Sequence, residues 1–510
     1  MIDEERAILF PEAYPHRRRS QTLEGIVNTL EWMLIALILA FVFRAFVMEA
    51  FRIPTGSMAE TLRGQHFHLR CLACGYPFDL GPRGEGAWPM GSCPNCDTEV
   101  PEESKVTISN GDRILVAKCL YQFIEPNRWD VVVFKNPLNP QENYIKRLVG
   151  RPGEQIEIVD GDIYIDGRIA RKPPKVQEEL WMPVYENDYQ PSEGTLRPEP
   201  KDRPRVRYGN RHRWRQPFEN QEGSGWNLAA EGPTVFSLAG EPDQVHVLQY
   251  NPSAGKDFRT TYGYNETDRN DRMPKCGDLM VRGTVFFSNR DSMIGAELEK
   301  GGIVYRGFVR SDGAMEIGQV QGGEYQMIDD FEPVAISEGW PVPFQFSVVD
   351  REVVLTVGRH RLRCELGQQR EQTGKANPDE QPIVRILGSG NIILRHIGIF
   401  RDIYYLSWDA YDINRILRAG EGNPFTLGPD EYFVCGDNSP NSSDARFWEV
   451  EGQGNNGRQY RKGVVPRDYM MGKAFFVYWS NAFRPTANLP PMIPNLSEIG
   501  FIVGGTPGSN

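Results

Sequence analysis

Hydrophobic positions fall into three regimes along the chain. Near the N-terminus they are continuous: "WMLIALILAFVF" (32–43) contains no polar residue. With its softer flanks, 26–48, the run is long enough to cross a bilayer core of roughly 30 Å as one helix. Asn28, Glu31 and Arg44 weaken the run, but they lie toward its ends, where polar groups cost less and an arginine can snorkel. The competing reading is a buried helix of a soluble domain. A cleaved signal peptide fits less well, because the preceding region is long and no small-x-small site follows closely. "HRRR" (16–19) precedes the run, which places the N-terminus in the cytoplasm and the rest of the chain outside it.

The second regime is short apolar runs such as "GDRILVAK" (111–118) and "WDVVVFKNP" (129–137), which read as strands. In the third, 177–404, alternating runs recur at short intervals: "DLMVRGTVFFS", "GIVYRGFVRS", "FQFSVVDREVVLTVG" and "NIILRHIGIF". That rhythm predicts a β-sandwich, with a hairpin turning at Asp350-Arg351 and a loose likeness to concanavalin-A-like jelly rolls. Between them, 190–217 is rich in proline and charge and reads as a linker.

Composition agrees with a mainly β chain of two or three domains: 510 residues carry 51 glycines and 38 prolines. A net charge of −11 argues against a global nucleic-acid binder. Four of the eight cysteines form the pattern C-x2-C-x18-C-x2-C: Cys71, Cys74, Cys93 and Cys96. This is zinc-ribbon spacing, with four thiolates for a closed structural site; one or two disulfides are the alternative. Cys119, Cys276, Cys364 and Cys435 are scattered and read as small core residues.

The candidate chemistry starts at "FRIPTGSMAETL" (51–62), just past the apolar run. A serine hydroxyl such as Ser57 needs a base to take its proton. Only seven histidines are present, and none has a serine-hydrolase context; His66 and His68 are near but precede a cysteine pair. Lys146, in the apolar strand of "NYIKRLVGRPGE", offers another route, since a desolvated amine becomes a general base. Alone it would be an ordinary strand lysine, and "GDNSPNSSDARFW" (436–448) alone a polar loop.

Together and in this order, "IPTGSM", "YIKRLVGRPGE" and "GDNSPNSSDAR" resemble the boxes of type I signal peptidases, the Ser/Lys membrane endopeptidases. The resemblance covers residues 20–65, 105–175 and 405–480, about half the chain. It implies Ser57 as nucleophile, Lys146 as general base, Thr55 as oxyanion-hole hydroxyl where the family usually has serine, Ser442 orienting the lysine, and Asp444 with Arg446 as a buttressing ion pair. It implies an antiparallel β core, no cofactor for the chemistry, and a place on the outer face of the cytoplasmic membrane. The partners it implies are preprotein signal peptides, membrane lipid and secretion machinery, with no nucleic acid. The expected layout is a cytoplasmic segment (1–25), a transmembrane helix (26–48), a core in pieces (49–65, 101–176, 405–480), a zinc-ribbon-like insertion (66–100), an inserted sandwich (177–404) and a C-terminal tail (481–510). The rival from another class is a membrane-tethered glycan- or protein-binding protein on a degenerate peptidase core.

Overall fold

The computed structural model describes residues 18–82, 91–101, 106–191, 196–197, 212–265, 272–331, 333–369, 381–454, 457, 459–482 and 492–505. Most of the expected linker at 190–217, and part of the basic cluster at 16–19, lie outside them. Helix α1 (Arg18–Val42) is one continuous rod. Its window Gly25–Val42 has a mean hydropathy of 2.0 and is not buried by any of the described residues, and the helix is long and apolar enough to cross a membrane. A π turn (Phe43–Val47) follows, and the chain is already a strand at Met48.

The core is built on one large antiparallel sheet, with a four-stranded sheet (Gln155–Val159, Asp162–Ile165, Arg168–Ile169, Phe425–Thr426) packed into the same cluster. The strands of the large sheet are β1 (Met48–Arg52), β2 (Arg113–Ala117), β3 (Val131–Asn136), β4 (Asn139–Gly150), β5 (Glu431–Cys435), β6 (Val465–Pro466) and β7 (Met470–Trp479). They lie in the order β1-β2-β7-β3-β4-β5-β6. The run "VVVF" in β3 is apolar at every position because the sheet is covered on both faces. Val131 and Val133 join Ile53, Met58, Leu62, Ile114 and Val116 on one side. Val132 and Phe134 join Leu148, Phe433, Tyr469 and Trp448 on the other. Each such buried side chain contributes about 1.5–3 kcal/mol over the exposed state.

The insertion is a two-layer sandwich. One seven-stranded sheet runs in order Phe218–Asn220, His246–Tyr250, Val384–Ser389, Met293–Lys300, Ile303–Arg310, Met315–Gln321, Glu324–Phe331. The other, also seven-stranded, is built around Leu279–Phe287, Asn391–Arg401 and Val342–Val349. Aromatic and branched residues of both sheets, among them Phe236, Leu248, Val281, Ile294, Phe346 and Ile399, form one core. The hairpin turns where its sequence predicts. Val349 pairs with Glu352, and Asp350 and Arg351 take φ of 47° and 56°, the left-handed pair that a two-residue hairpin turn requires.

Two boundaries differ from the sequence expectation. Residue 177 is not the start of the sandwich: the helix Pro174–Leu180 spans that point and buries Val176 and Leu180 in the core sheet's cluster, and the first sandwich strand begins at Met182. The C-terminal segment is no free tail either. Gly500–Phe501 pairs with β7, Ile502 enters the core, and Glu498 binds Arg63, Ser480 and Asn481. The run "IGFIVGG" (499–505) is apolar but too short to show a periodicity from which to foresee that pairing.

Candidate active site

Ser57 lies in a tight turn that leaves β1. Ile53 donates its N–H to Asp112 O, Ala59 N–H closes on Gly56 O at 3.1 Å, and Leu62 N–H on Met58 O at 2.8 Å. Met58 and Leu62 anchor the turn in the core, which leaves Ser57 9 % exposed at its surface. Lys146 comes from the middle of β4 and is 4 % exposed. Its ammonium nitrogen stands 2.7 Å from Ser57 Oγ and 3.0 Å from its own neighbour's carbonyl, Ile145 O. Burial pushes the Lys146 pKa down to about 8, against the opposing pull of Asp444 and Asp437.

The "GDNSPNSSDAR" loop closes over this pair. Asp444 takes a two-pronged ion pair from Arg446 (Nε to Oδ1 2.9 Å, Nη2 to Oδ2 2.7 Å) and accepts the Gly436 N–H at 2.9 Å. Burial would raise the Asp444 carboxyl, but Arg446 overrides it and holds it below the usual range. Arg446 also donates to Leu406 O and to Ser439 Oγ and O, so one guanidinium ties three residues, Asp444, Ser439 and Leu406, together. Gly436 has no room for a side chain: a Cβ there would stand 2.2 Å from Ser442 Oγ and 2.4 Å from Ser57 O. Ser442 is therefore beside Ser57. Its hydroxyl does not bond the lysine here. It is buried without a well-formed partner, close enough to Asp444 to lower that carboxyl. Thr55 is exposed one step before Gly56, its backbone packed on Gly64.

Arg147 and Thr61 were not singled out from the sequence, and Asp437 and Asn438 were read only as the opening of the third box. Arg147, next to the lysine, makes a second fully buried two-pronged pair with Asp437 (2.8 and 2.7 Å), and Thr61 Oγ1 donates to the same carboxylate. Asn438 clamps the Ser57 turn twice, through its N–H to Ser57 O (3.1 Å) and its side-chain amide to Gly56 O (3.0 Å). The letters were visible inside the boxes, but their pairing spans about 290 residues and leaves no local signal. His66 and His68 belong to neither the sulfurs nor Ser57: His66 bonds Gly64 O and Asn481, and His68 bonds Asp79 at 2.7 Å.

Residues 98–206 and 410–479 match the family model described as signal peptidase, peptidase S26. The match includes Lys146, Ser442, Asp444 and Arg446, and begins after the Ser57 turn. Signal peptidase I of Rickettsia canadensis is 32 % identical over 145 residues, 28 % of this chain and 44 % of that protein. Signal peptidase I of Rickettsia typhi is 29 % identical over 158 residues, 31 % of this chain and 50 % of that one. The chain thus spans about half the length of the curated relatives it matches. Among solved structures, sheep galectin-11 covers 25 % of this chain and 92 % of its own at 15 % identity and a TM-score of 0.19. The carbohydrate-binding module CBM66 from Bacillus subtilis covers 36 % and 95 % at 7 % identity and a TM-score of 0.23. Scores that low carry nothing about this chain's ligands.

The four cysteines of the first insertion also meet. Cys71 and Cys96 sulfurs are 3.6 Å apart, Cys74 and Cys93 sulfurs 3.7 Å, and all four lie within 4.8 Å of one another as free thiols. Gly75, after the first pair, takes φ of 77° in the knuckle.

Proposed function

We propose that the chain is a membrane-bound serine endopeptidase that removes signal peptides from exported preproteins with a Ser57–Lys146 dyad. The observation that carries this reading is the 2.7 Å contact between a buried, pKa-lowered amine and the Ser57 hydroxyl. Neutral Lys146 takes the Ser57 proton as Oγ attacks the scissile carbonyl. The Ser57 N–H and the Thr55 hydroxyl stabilise the oxyanion, the protonated amine releases the leaving peptide, and the same lysine then activates water for deacylation. Arg446 with Asp444, and Arg147 with Asp437, hold the loop and strand that bring the dyad together.

Substrate is an extended strand. β4 pairs with β5 only from Arg147 onward, so among the described residues its edge on the approach to Lys146 stays open, and β1 is the end strand of the sheet. A peptide added there by β-pairing would deliver its carbonyl to Ser57. Helix α1 ends six residues before that region at Val42, so an α1 buried in lipid, with the N-terminus cytoplasmic, holds the serine where a signal peptide leaves the bilayer. The intact dyad speaks against a binding protein on a degenerate core. Cleavage of a preprotein by the detergent-solubilised full chain tests the reading, with Ser57→Ala and Lys146→Ala expected to be inactive; full activity in either sinks the dyad. Thr55→Ala should lower kcat by about a hundredfold or more if its hydroxyl serves the oxyanion.

The cysteine cluster fits a structural zinc. Tetrahedral coordination at about 2.3 Å per Zn–S bond requires sulfurs roughly 3.8 Å apart. Cys71, Cys74, Cys93 and Cys96 would fill all four positions, so the metal would brace the insertion and take no part in the chemistry. Metal analysis of the chain purified under reducing conditions should return one zinc per chain. No zinc, with all four thiols alkylatable, would remove it.

A further inference from the structure

The sandwich sends an arm into the dyad's neighbourhood. The arm leaves the strand His246–Tyr250 and returns at Leu279–Phe287. It is rooted in the sandwich core by Phe258 and held as a ladder: Thr260 N–H to Pro274 O, Cys276 N–H to Phe258 O, both 2.9 Å. Beyond that ladder it brings Tyr264 and Asn265 against the nucleophile turn. Tyr264 Oη donates to Gln65 O at 2.5 Å, its carbonyl accepts the Gly81 N–H at 2.6 Å, and its ring covers Gly56 so closely that a Cβ on Gly56 would lie 2.0 Å from Cε1. Asn265 Oδ1 accepts from the Asn438 amide at 2.8 Å, and that same amide nitrogen donates to Gly56 O at 3.0 Å.

The consequence follows from peptide geometry. In the planar trans unit joining Gly56 to Ser57, the Gly56 carbonyl and the Ser57 N–H point in opposite directions. Whatever fixes that carbonyl also aims that N–H, and a donor on the oxygen polarises the unit so that its N–H donates more strongly. Asn265 holds the Asn438 amide in the orientation that grips Gly56 O, and the Tyr264 ring blocks rotation at the Gly56 Cα. We propose that Tyr264 and Asn265, supplied by the inserted sandwich, are positioning residues for the oxyanion-binding Ser57 N–H, so that the insertion completes the peptidase site. The inference rests on Ser57 being the nucleophile, as proposed above.

The test uses the full chain in detergent and two readouts. One is kcat and KM for preprotein cleavage; the other is the acylation rate of Ser57 by a β-lactam, followed by mass spectrometry, which needs no signal-peptide substrate. Should the unaltered chain acylate but not cleave a preprotein, the substrate assignment falls and the second readout still decides this inference. Asn265→Ala is expected to lower kcat and acylation by about ten- to a hundredfold with KM within about twofold, the signature of misaimed groups. Trp340→Ala, on an exposed loop of the same sandwich, should change neither. Gly56→Ala is expected to lose about a hundredfold, and the double variant Gly56→Ala/Tyr264→Ala to recover at least tenfold over Gly56→Ala, because the ring that the new methyl meets is gone. Asn265→Ala with kcat and acylation within twofold of the unaltered chain would overturn the proposal, as would a double variant no faster than Gly56→Ala. If Tyr264→Ala lowers the unfolding temperature by more than about 10 °C, Asn265→Ala, which removes only an amide, decides alone.

Discussion

Two lysines are buried in this protein to similar depth, and their surroundings drive them in opposite directions. Lys146 is 4 % exposed and Lys172 is 9 % exposed. Lys146 has two carboxylates nearby, but each is already committed: Asp444 to Arg446 and Asp437 to Arg147, both in two-pronged pairs. Desolvation therefore wins and the amine is brought down to about 8. Lys172 also suffers desolvation, but Asp350 and Asp402 touch its ammonium directly, and they override burial and push its pKa up. It sits with Lys300 among Asp162, Asp278, Asp350 and Asp402, where the core sheet's chain meets the sandwich. Burial alone makes neither a base nor a brace. What decides is whether the neighbouring carboxylates are spent on arginines or left for the lysine.

Exchanging each lysine for methionine breaks the comparison most sharply. Lys146→Met should lower kcat by about a hundred- to ten-thousandfold with little loss of stability. Lys172→Met should do the reverse: it strands buried carboxylates and should cost about 3–5 kcal/mol in denaturant unfolding while the residual folded enzyme keeps its kcat. Equal effects of the two on stability would refute the distinction. A smaller effect should come from Asp444→Asn. Removing that charge, and leaving Arg446 unpaired, both disfavour an ammonium at Lys146. The acid limb of the pH–rate profile, expected near 8 for the proposed base because only its neutral form accepts a proton, should then move to lower pH; a shift upward would contradict the account. Below its midpoint the unaltered enzyme should gain tenfold in rate per pH unit.

The smallest expected effect is on stability against pH. Burial raises the Asp402 carboxyl, to about 7, despite Lys172. A folded-state pKa above the unfolded one means that the folded chain holds a proton the unfolded chain has released. The stability this gives is full below the unfolded value near 4 and is lost as pH rises through 7. Asp402→Asn should therefore unfold with a flatter dependence between pH 5 and 8 than the unaltered chain, in urea midpoints compared across that range. An unchanged slope would mean that Asp402 is ionised throughout, with its charge fully matched by Lys172.

Much of the fold was legible because it is written locally. The apolar run over 26–48 became α1 and its π turn, and the alternating runs became sandwich strands with the hairpin at Asp350-Arg351. The cysteine spacing was enough to bring four sulfurs together. Ser57, Lys146, Asp444 and Arg446 were readable as letters in short boxes, and the structure gathers them around one turn. Ser442 was read as the lysine's orienting partner; its hydroxyl is buried here without a hydrogen-bond partner, a choice of rotamer on which sequence is silent.

What the sequence determined by itself is whatever depends on neighbours within a few residues: helix length, strand alternation, turn chemistry and the letters of the candidate boxes. What only the tertiary structure decided are the pairings across hundreds of residues. Among these are Arg147 with Asp437, the C-terminal strand beside β7, and the reach of Tyr264 and Asn265 to Gly56. The same holds for the protonation of the lysines. A pKa is set by the charges and the solvent within a few ångströms, and the chain brings those together only when it folds.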